Sequence, residues 1–423
     1  LQQFSLSNTA INVTDEISGD VWQIPDAHLD IKRIDEGLSL LLEGAFDFEN
    51  ENDIPLHLSV QYNMAQEKAT TQLRFSNFVP TNVAGEVEGL AALSTLNIPI
   101  SGIVNFTIDG SFELPVFDFE VDFGEGVINP ADLFAKPVQI DEAMLIGQFI
   151  AAEDEISIES LHLMFAGAEL DGEGFISNFR DQPDVTFTAE VANMDLMDLQ
   201  TYWPKDVVVG ARTWIVRNLT GGRMTDGTLN FDVRPEMWAL DELPAESFYF
   251  DFNIVDSSAH YIKPMPQVTD VVGKASLNFQ RFLLSIESAV VEDVAVKDAE
   301  LTFANIAHKG EALAHFEIPV SGKVEDMLHL MDYQPFGYPT RYGIKENSVT
   351  GDAQGHLILD FPLIKVVKIS DITIDFKSDI ENLTIAKLSD NFSLTEGAMN
   401  MALTDNGINA TGNILLNGMD FEA

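Results

Sequence analysis

Apolar and polar residues alternate one by one through stretch after stretch of this chain, and that period of two decides the class of fold. Leu56, Leu58, Val60, Tyr62 and Met64 alternate with His57, Ser59, Gln61 and Asn63, and Phe117, Phe119, Val121 and Phe123 alternate with Asp118, Glu120 and Asp122. The rhythm returns at Val185, Phe187, Ala189 and Val191, at Leu229, Phe231 and Val233, and at Phe248, Phe250, Phe252 and Ile254. Later come Leu357, Leu359 and Phe361, then Ile372, Ile374 and Phe376. Successive side chains of a strand point to opposite faces, so each run makes one face apolar and the other wet. An antiparallel sheet with one solvated face carries this pattern. The fold class is therefore all-β, mainly antiparallel, built from hairpins with a few short helices.

Turn chemistry supports hairpins. Asp109-Gly110, Gly124-Glu125-Gly126, Asp171-Gly172, Asp226-Gly227, Asn406-Gly407 and Asn417-Gly418 all suit tight turns with positive φ. Helical patterning is confined to four places. A single turn is expected from Asn129-Pro130 to Phe134, a short helix from Met194 to Tyr202, and another from Val324 to Met331 with Val324, Met327, Leu328 and Met331 on one side. The clearest runs from Asp206 to Leu219, with Asp206 as cap, Val208, Ala211, Ile215 and Leu219 on one face, and Gly221-Gly222 as stop. The boundaries that follow are a first β module at 1–200, a helical junction at 201–222 and a second β module at 223–423. Ile98-Pro99-Ile100-Ser101-Gly102 is echoed by Ile318-Pro319-Val320-Ser321-Gly322, a weak sign of a tandem repeat. The abrupt start at Leu1-Gln2-Gln3 reads as a piece of a larger protein.

Charge and composition exclude several functions. The 423 residues hold 68 acidic and 23 basic side chains, a formal net charge of −45. Such a surface repels phosphate backbones, so nucleic acid is not expected as a partner. No cysteine is present, which rules out disulfides and thiolate metal sites. No apolar run reaches the roughly 18 residues that would suggest a spanning helix. The chain lacks a P-loop, a GxSxG elbow, an HExxH and a dinucleotide fingerprint after a strand. Its eight histidines, at 28, 57, 162, 260, 308, 315, 329 and 356, show no ligand spacing on a helix. Asp47, Glu49, Asn50, Glu51, Asn52 and Asp53 could offer oxygens to calcium, yet they lack the EF-hand order and read as a solvated turn. The Asn-x-Ser/Thr triplets at Asn12, Asn105, Asn218, Asn382, Asn391 and Asn409 are ordinary turn and strand chemistry. No catalytic residue, cofactor or metal is expected.

One stretch is more specific: Tyr202-Trp203-Pro204, then Ala211-Arg212-Thr213-Trp214-Ile215, then Asn218-Leu219-Thr220-Gly221-Gly222, followed by strand-like Thr228 to Val233. It resembles the signature of the YhdP-type members of the AsmA-like superfamily, as do Ile98 to Gly102 and the strands from Phe112 to Ile128. The resemblance implies a large envelope protein anchored in the inner membrane of Gram-negative bacteria. Its periplasmic part would be a long, curled β-groove that carries phospholipid between inner and outer membranes without catalysis, in a setting that leaves room for other envelope proteins as partners. The residues expected to line such a groove are Leu58, Val60, Phe117, Phe119, Val121, Phe187, Phe231, Phe250, Phe252 and Ile374. Trp203, Arg212 and Trp214 are expected to brace the junction, with Trp214 buried against a strand residue such as Phe231 and Arg212 paired to a carboxylate.

The physical demand agrees with that implication. Shielding each acyl CH₂ contributes about 0.8 kcal/mol, so an apolar track of some length holds a two-chain lipid. Twenty to thirty strands at ~4.8 Å would reach roughly 100 to 140 Å. Of 40 aromatic residues 29 are Phe, and phenylalanine lines an apolar surface without a polar tip to satisfy. The alternative reading is a structural or adhesive array of β-sandwiches, because a closed core and an open groove demand the same alternation.

Overall fold

The computed structural model describes the chain apart from residues 1, 15–20, 48–52, 84–92, 111–114, 132, 180, 206–208, 241, 308–309, 335, 342, 345–347, 365–366, 390–391, 405–406 and 423. Strands make up 67% of it and helices 11%, and the antiparallel sheet is not closed into a barrel. The chain divides into two compact units. One comprises 1–192, 201–206 and 229–243, the other 193–200, 207–228 and 244–423. The strand Leu219–Val233 contributes to both.

In the first unit the strands follow one another as a meander. Gln3–Thr14 pairs with Val21–Ile34, and Gly37–Phe46, Ile54–Asn63, Lys68–Phe78, Ile100–Ile108, Val116–Phe123, Glu142–Ile150, Glu155–Phe165, Ala168–Ser177 and Asp184–Ala192 join in chain order. A separate small sheet of Leu96–Asn97, Gly126–Ile128 and Val138–Ile140 accompanies them. Ile98, Val138 and Ile140 are buried there, as are Ile100, Ala143 and Val191 of the large sheet. Tyr202 ties the two sheets: its ring lies 4.6 Å from that of Phe165 and its hydroxyl donates to the Gln139 carbonyl at 3.2 Å.

The second unit repeats the meander with Phe248–Ala259, Val268–Leu277, Arg281–Val291, Val294–Ala304, Leu313–Lys323, Val349–Pro362, Thr373–Ser389, Phe392–Thr404, Gly407–Leu416 and Met419–Glu422. Among its buried residues are two clusters: Val271, Ile286, Ala289, Val296 and Ala299, and then Val324, Ala353, Leu383 and Leu394. The helix Val324–Asp332 lays Met327 and Leu328 on the second group. This is the amphipathic helix that the apolar spacing predicts.

Bulges mark the strands at positions the alternation does not reveal. Asn8, Asn77, Asp256, Asp270, Asp298, Asn382 and Glu396 all have φ between +50° and +55°, and each falls where the pairing register slips. Asn and Asp tolerate this left-handed conformation best among residues with a side chain. An extra residue there bends the strand and raises its twist.

Several turn and cap expectations are corrected. Asp171-Gly172 and Asp226-Gly227 lie inside strands. Gly172 is a glycine because a Cβ would stand 2.9 Å from the ring of Phe187. Asn417-Gly418 does turn a hairpin. The junction helix is Val209–Asn218 and passes directly into the strand at Leu219, so Gly221-Gly222 is strand and not a stop. Asn218 closes the helix by donating from Nδ2 to the Trp214 carbonyl at 2.9 Å. Asp206 and Val208 lie outside the described residues, as do Glu49 to Asn52, Asn391 and Asn406. Between Met194 and Tyr202 the expected helix shrinks to Leu199–Tyr202, preceded by a two-residue strand, Met194–Asp195. The echoed pentapeptides occupy different places: Ile100 opens a strand, whereas Ile318 to Gly322 ends one before a helix.

Candidate functional site

Strand pairing brings the alternating apolar residues into rows that cross the strands. In the first unit one row runs Leu40, Val60, Thr71, Phe106, Phe117, Phe149, Ile156, Ile176, Val185. The next runs Leu42, Leu58, Leu73, Val104, Phe119, Gly147, Ile158, Gly174, Phe187. Val121 belongs to a third, between Gly102 and Leu145. The rings of Phe106 and Phe117 are 5.2 Å apart, those of Phe117 and Phe149 6.0 Å, and those of Phe149 and Phe179 6.1 Å. In the second unit Phe250, Leu277, Phe282, Phe303, Ala314 and Phe361 form one row, and Phe252, Ala275, Leu284, Leu301, Phe316, Leu359 and Ile374 the next. There Phe282, Phe303, Phe316 and Phe361 make a ladder with centroid steps of 5.6, 5.3 and 5.1 Å.

The burial of these rows matters as much as their composition. In the first unit every aliphatic and aromatic side chain of the two rows is half-buried, while the fully buried ones, such as Ile24, Ile54, Ile100 and Ala143, lie outside them. Residues sandwiched between two sheets lose nearly all their exposure. Half-burial is what neighbours on the same sheet supply when no second layer covers the face. The rows therefore form an apolar strip, interrupted by Thr71 and by glycines, whose aliphatic and aromatic side chains keep part of their exposure to solvent.

Glycines keep the strip tight. A Cβ on Gly102 would stand 3.0 Å from Phe75 Cζ, on Gly147 3.0 Å from Phe119 Cζ, on Gly174 2.8 Å from Phe187 Cδ2, and on Gly355 2.7 Å from Phe376 Cζ. Each phenylalanine thus lies across a glycine of the adjoining strand.

The opposite face is polar and carries histidine–carboxylate pairs, most of them between neighbouring strands. His57 Nδ1 meets Glu43 at 3.1 Å, His162 Nδ1 meets Asp171 at 2.8 Å, and His315 meets Asp360 at 2.7 Å through Nδ1 and Glu317 at 3.1 Å through Nε2. The hydrogen bond to Asp171 raises the affinity of His162 for its proton, and those to Asp360 and Glu317 do the same for His315. Asp30 is held at about 2 by Lys32, Ser5 and Gln3. A depression of about 450 Å³ is lined by Glu43, His57, Arg74 and Glu120 together with the apolar Leu56, Phe75 and Ile103.

Nine of the ten residues expected to line a groove stand in the strands just traced, and Phe231, the tenth, is half-buried in Leu219–Val233. The junction expectation for Trp214 is corrected: the side chain is 44% exposed and so is not a buried brace. Val209 and Val216 on the same helix are 54% and 43% exposed. Among the described residues Arg212 has one hydrogen-bond partner, the Gln200 carbonyl at 2.9 Å, in place of a carboxylate, and its Nε is buried without one. Trp203 is half-buried. The His162 pair with Asp171 was invisible to spacing along the sequence, because only the register of two strands creates it.

An antiparallel sheet that is not closed into a barrel, with rows of apolar side chains on one face and paired polar groups on the other, defines an all-β protein of meander type. The chain belongs to the YhdP protein family, whose model matches residues 47–420. No curated protein and no solved structure matches it. Among the described residues no helix is long and apolar enough to cross a membrane.

Proposed function

We propose that this chain is a periplasmic segment of an inner-membrane-anchored envelope protein that shields phospholipid acyl chains on its apolar face and conducts them between the inner and outer membranes, without catalysis. The observation that carries this reading is the pair of cross-strand rows through Val60, Phe117 and Phe149 and through Leu58, Phe119 and Phe187, apolar apart from Thr71 and the glycines, with their apolar side chains left half-exposed. A chain with a net charge of −45 gains nothing from leaving so many apolar side chains partly exposed unless something apolar lies on them.

The rows run perpendicular to the strands, at ~4.8 Å per strand. An acyl chain laid along a row therefore touches one apolar side chain at every few carbons and meets no polar tip at the phenylalanine rungs. Each CH₂ withdrawn from water contributes about 0.8 kcal/mol, and no reacting group is needed to hold or release the chain. A structural or adhesive sandwich would require a second sheet over these rows. Family membership supports the reading for the protein type.

The test is extraction of the gently purified protein with organic solvent and mass spectrometry of the extract. Stoichiometric phospholipid is the expected result. An extract free of lipid, from protein that is folded, would overturn the proposal.

A further inference from the structure

The polar face holds a second arrangement that the reading above does not use. His162 lies on Glu155–Phe165, directly opposite Asp171 on Ala168–Ser177, and Glu169 sits two residues along the same strand. Nδ1 of His162 is 2.8 Å from Asp171 Oδ1 and 3.9 Å from Glu169 Oε1. One atom from each of the three groups falls within 4.8 Å of the others, so all three converge on one point.

Among the described residues, this is the group of His and carboxylate atoms that converges closely enough to share one ion. His315 also has two carboxylate neighbours, but Asp360 is on Nδ1 and Glu317 on Nε2, at opposite edges of the ring, where no single ion reaches both. His57 has one carboxylate neighbour, Glu43. At His162 both carboxylates approach the same nitrogen. The charge around them is also uncompensated. Asp171 stands directly opposite Glu190 on Asp184–Ala192, a like-charge pairing that costs stability in an antiparallel sheet. Among the described residues no Lys or Arg pairs with Glu169, Asp171 or Glu190.

We infer that His162, Glu169 and Asp171 form a binding site for a divalent transition-metal ion of the zinc class, with water completing the coordination. Imidazole nitrogen selects zinc and its neighbours over calcium and magnesium, which prefer all-oxygen shells. Zinc lies about 2.0 to 2.2 Å from His nitrogen and carboxylate oxygen. At roughly right angles such bonds place the two donors close to their present spacing. The ion would occupy His162 Nδ1 in place of a proton, so its binding competes with protonation and strengthens as pH rises. It would also lift the repulsion between Asp171 and Glu190. All three side chains are partly exposed, which gives an ion free entry.

The experiment is calorimetric titration of the purified chain with zinc chloride in 150 mM sodium chloride and excess calcium, which saturates nonspecific acidic sites. We expect one saturable site, weakened at least tenfold in His162→Gln and in Asp171→Asn and unchanged in His315→Gln. With cobalt the wild type should develop visible absorption that both variants lack. Circular dichroism and melting of each variant report folding, and two separate substitutions guard against the loss of either. Zinc binding that is abolished by calcium, or that is equal in wild type and His162→Gln, would overturn the inference.

Discussion

The ring of Phe119 lies across Gly147 on the adjoining strand, so that a Cβ added to the glycine would stand 3.0 Å from Phe119 Cζ and 2.1 Å from the Ser157 carbonyl oxygen. The second distance is to backbone and cannot be relieved by a rotamer change. Gly147 is thus fixed by two strands at once, and the apolar strip owes its close contact there to the missing side chain.

Gly147→Ala should therefore destabilise the first unit by ~2 to 3 kcal/mol, within the usual range for overpacking. Urea denaturation of the two proteins side by side checks this. Gly167, where a Cβ would meet nothing within 4 Å but φ is +75°, is the contrasting position: Gly167→Asn should be tolerated within about 1 kcal/mol, since Asn accepts positive φ.

Phe119→Asp and Phe250→Asp should abolish lipid co-purification while the protein stays folded. Both rings are half-buried, so an introduced carboxylate reaches water and escapes the several kcal/mol that an unpaired buried charge costs. Thermal melts and lipid content measured on the same preparations separate the outcomes. Collapse of the fold in both variants would place these residues in a sealed core.

Trp214→Ala should change stability by less than about 1 kcal/mol, as surface substitutions do. A buried tryptophan would cost roughly 3 to 5 kcal/mol, but this one is 44% exposed. A melting curve decides between the two figures.

Protonation of His162 and His315 should stabilise the fold at mildly acidic pH. Their folded pKa values are raised by Asp171 in one case and by Asp360 and Glu317 in the other. A raised folded value means that the contribution is fully present below the unfolded value, about 6.5, and is lost as pH rises through the folded value. Melting temperature followed from pH 5 to 9 should fall more steeply above pH 6.5 in wild type than in the double variant His162→Gln, His315→Gln. Parallel curves would contradict the assignment.

How much of this was legible in the sequence follows from what each feature depends on. Strands and their apolar faces depend on local period, and Phe117 to Phe123 and Phe248 to Ile254 declare theirs unmistakably. The helix Val324–Asp332 is equally local, carried by Val324, Met327 and Leu328. Asp171-Gly172 misleads because a glycine demanded by a neighbouring strand's Phe187 looks the same as one demanded by a turn. The bulges at Asp256, Asp270 and Asp298 hide for a related reason: their acidic residues pass for ordinary members of a polar face. Trp214 was expected inside as a brace for the junction, packed against a strand residue such as Phe231, whereas its helix passes straight into a strand at Leu219 and the residue is 44% exposed. The convergence of His162 with Asp171 and Glu169 needs the register of two strands, which no single stretch encodes.

The most direct test of the central claim is photo-crosslinking with a benzophenone amino acid placed on either face of one strand. Substituted at Phe117 or Phe119, the probe sits on the apolar strip; at Asp118 or Glu120, one residue away, it sits on the polar face. With the protein expressed in a cell envelope and illuminated, phospholipid adducts should form from positions 117 and 119 and be absent from 118 and 120. Equal labelling from both faces, or none from 117 and 119, would contradict an apolar face that carries lipid.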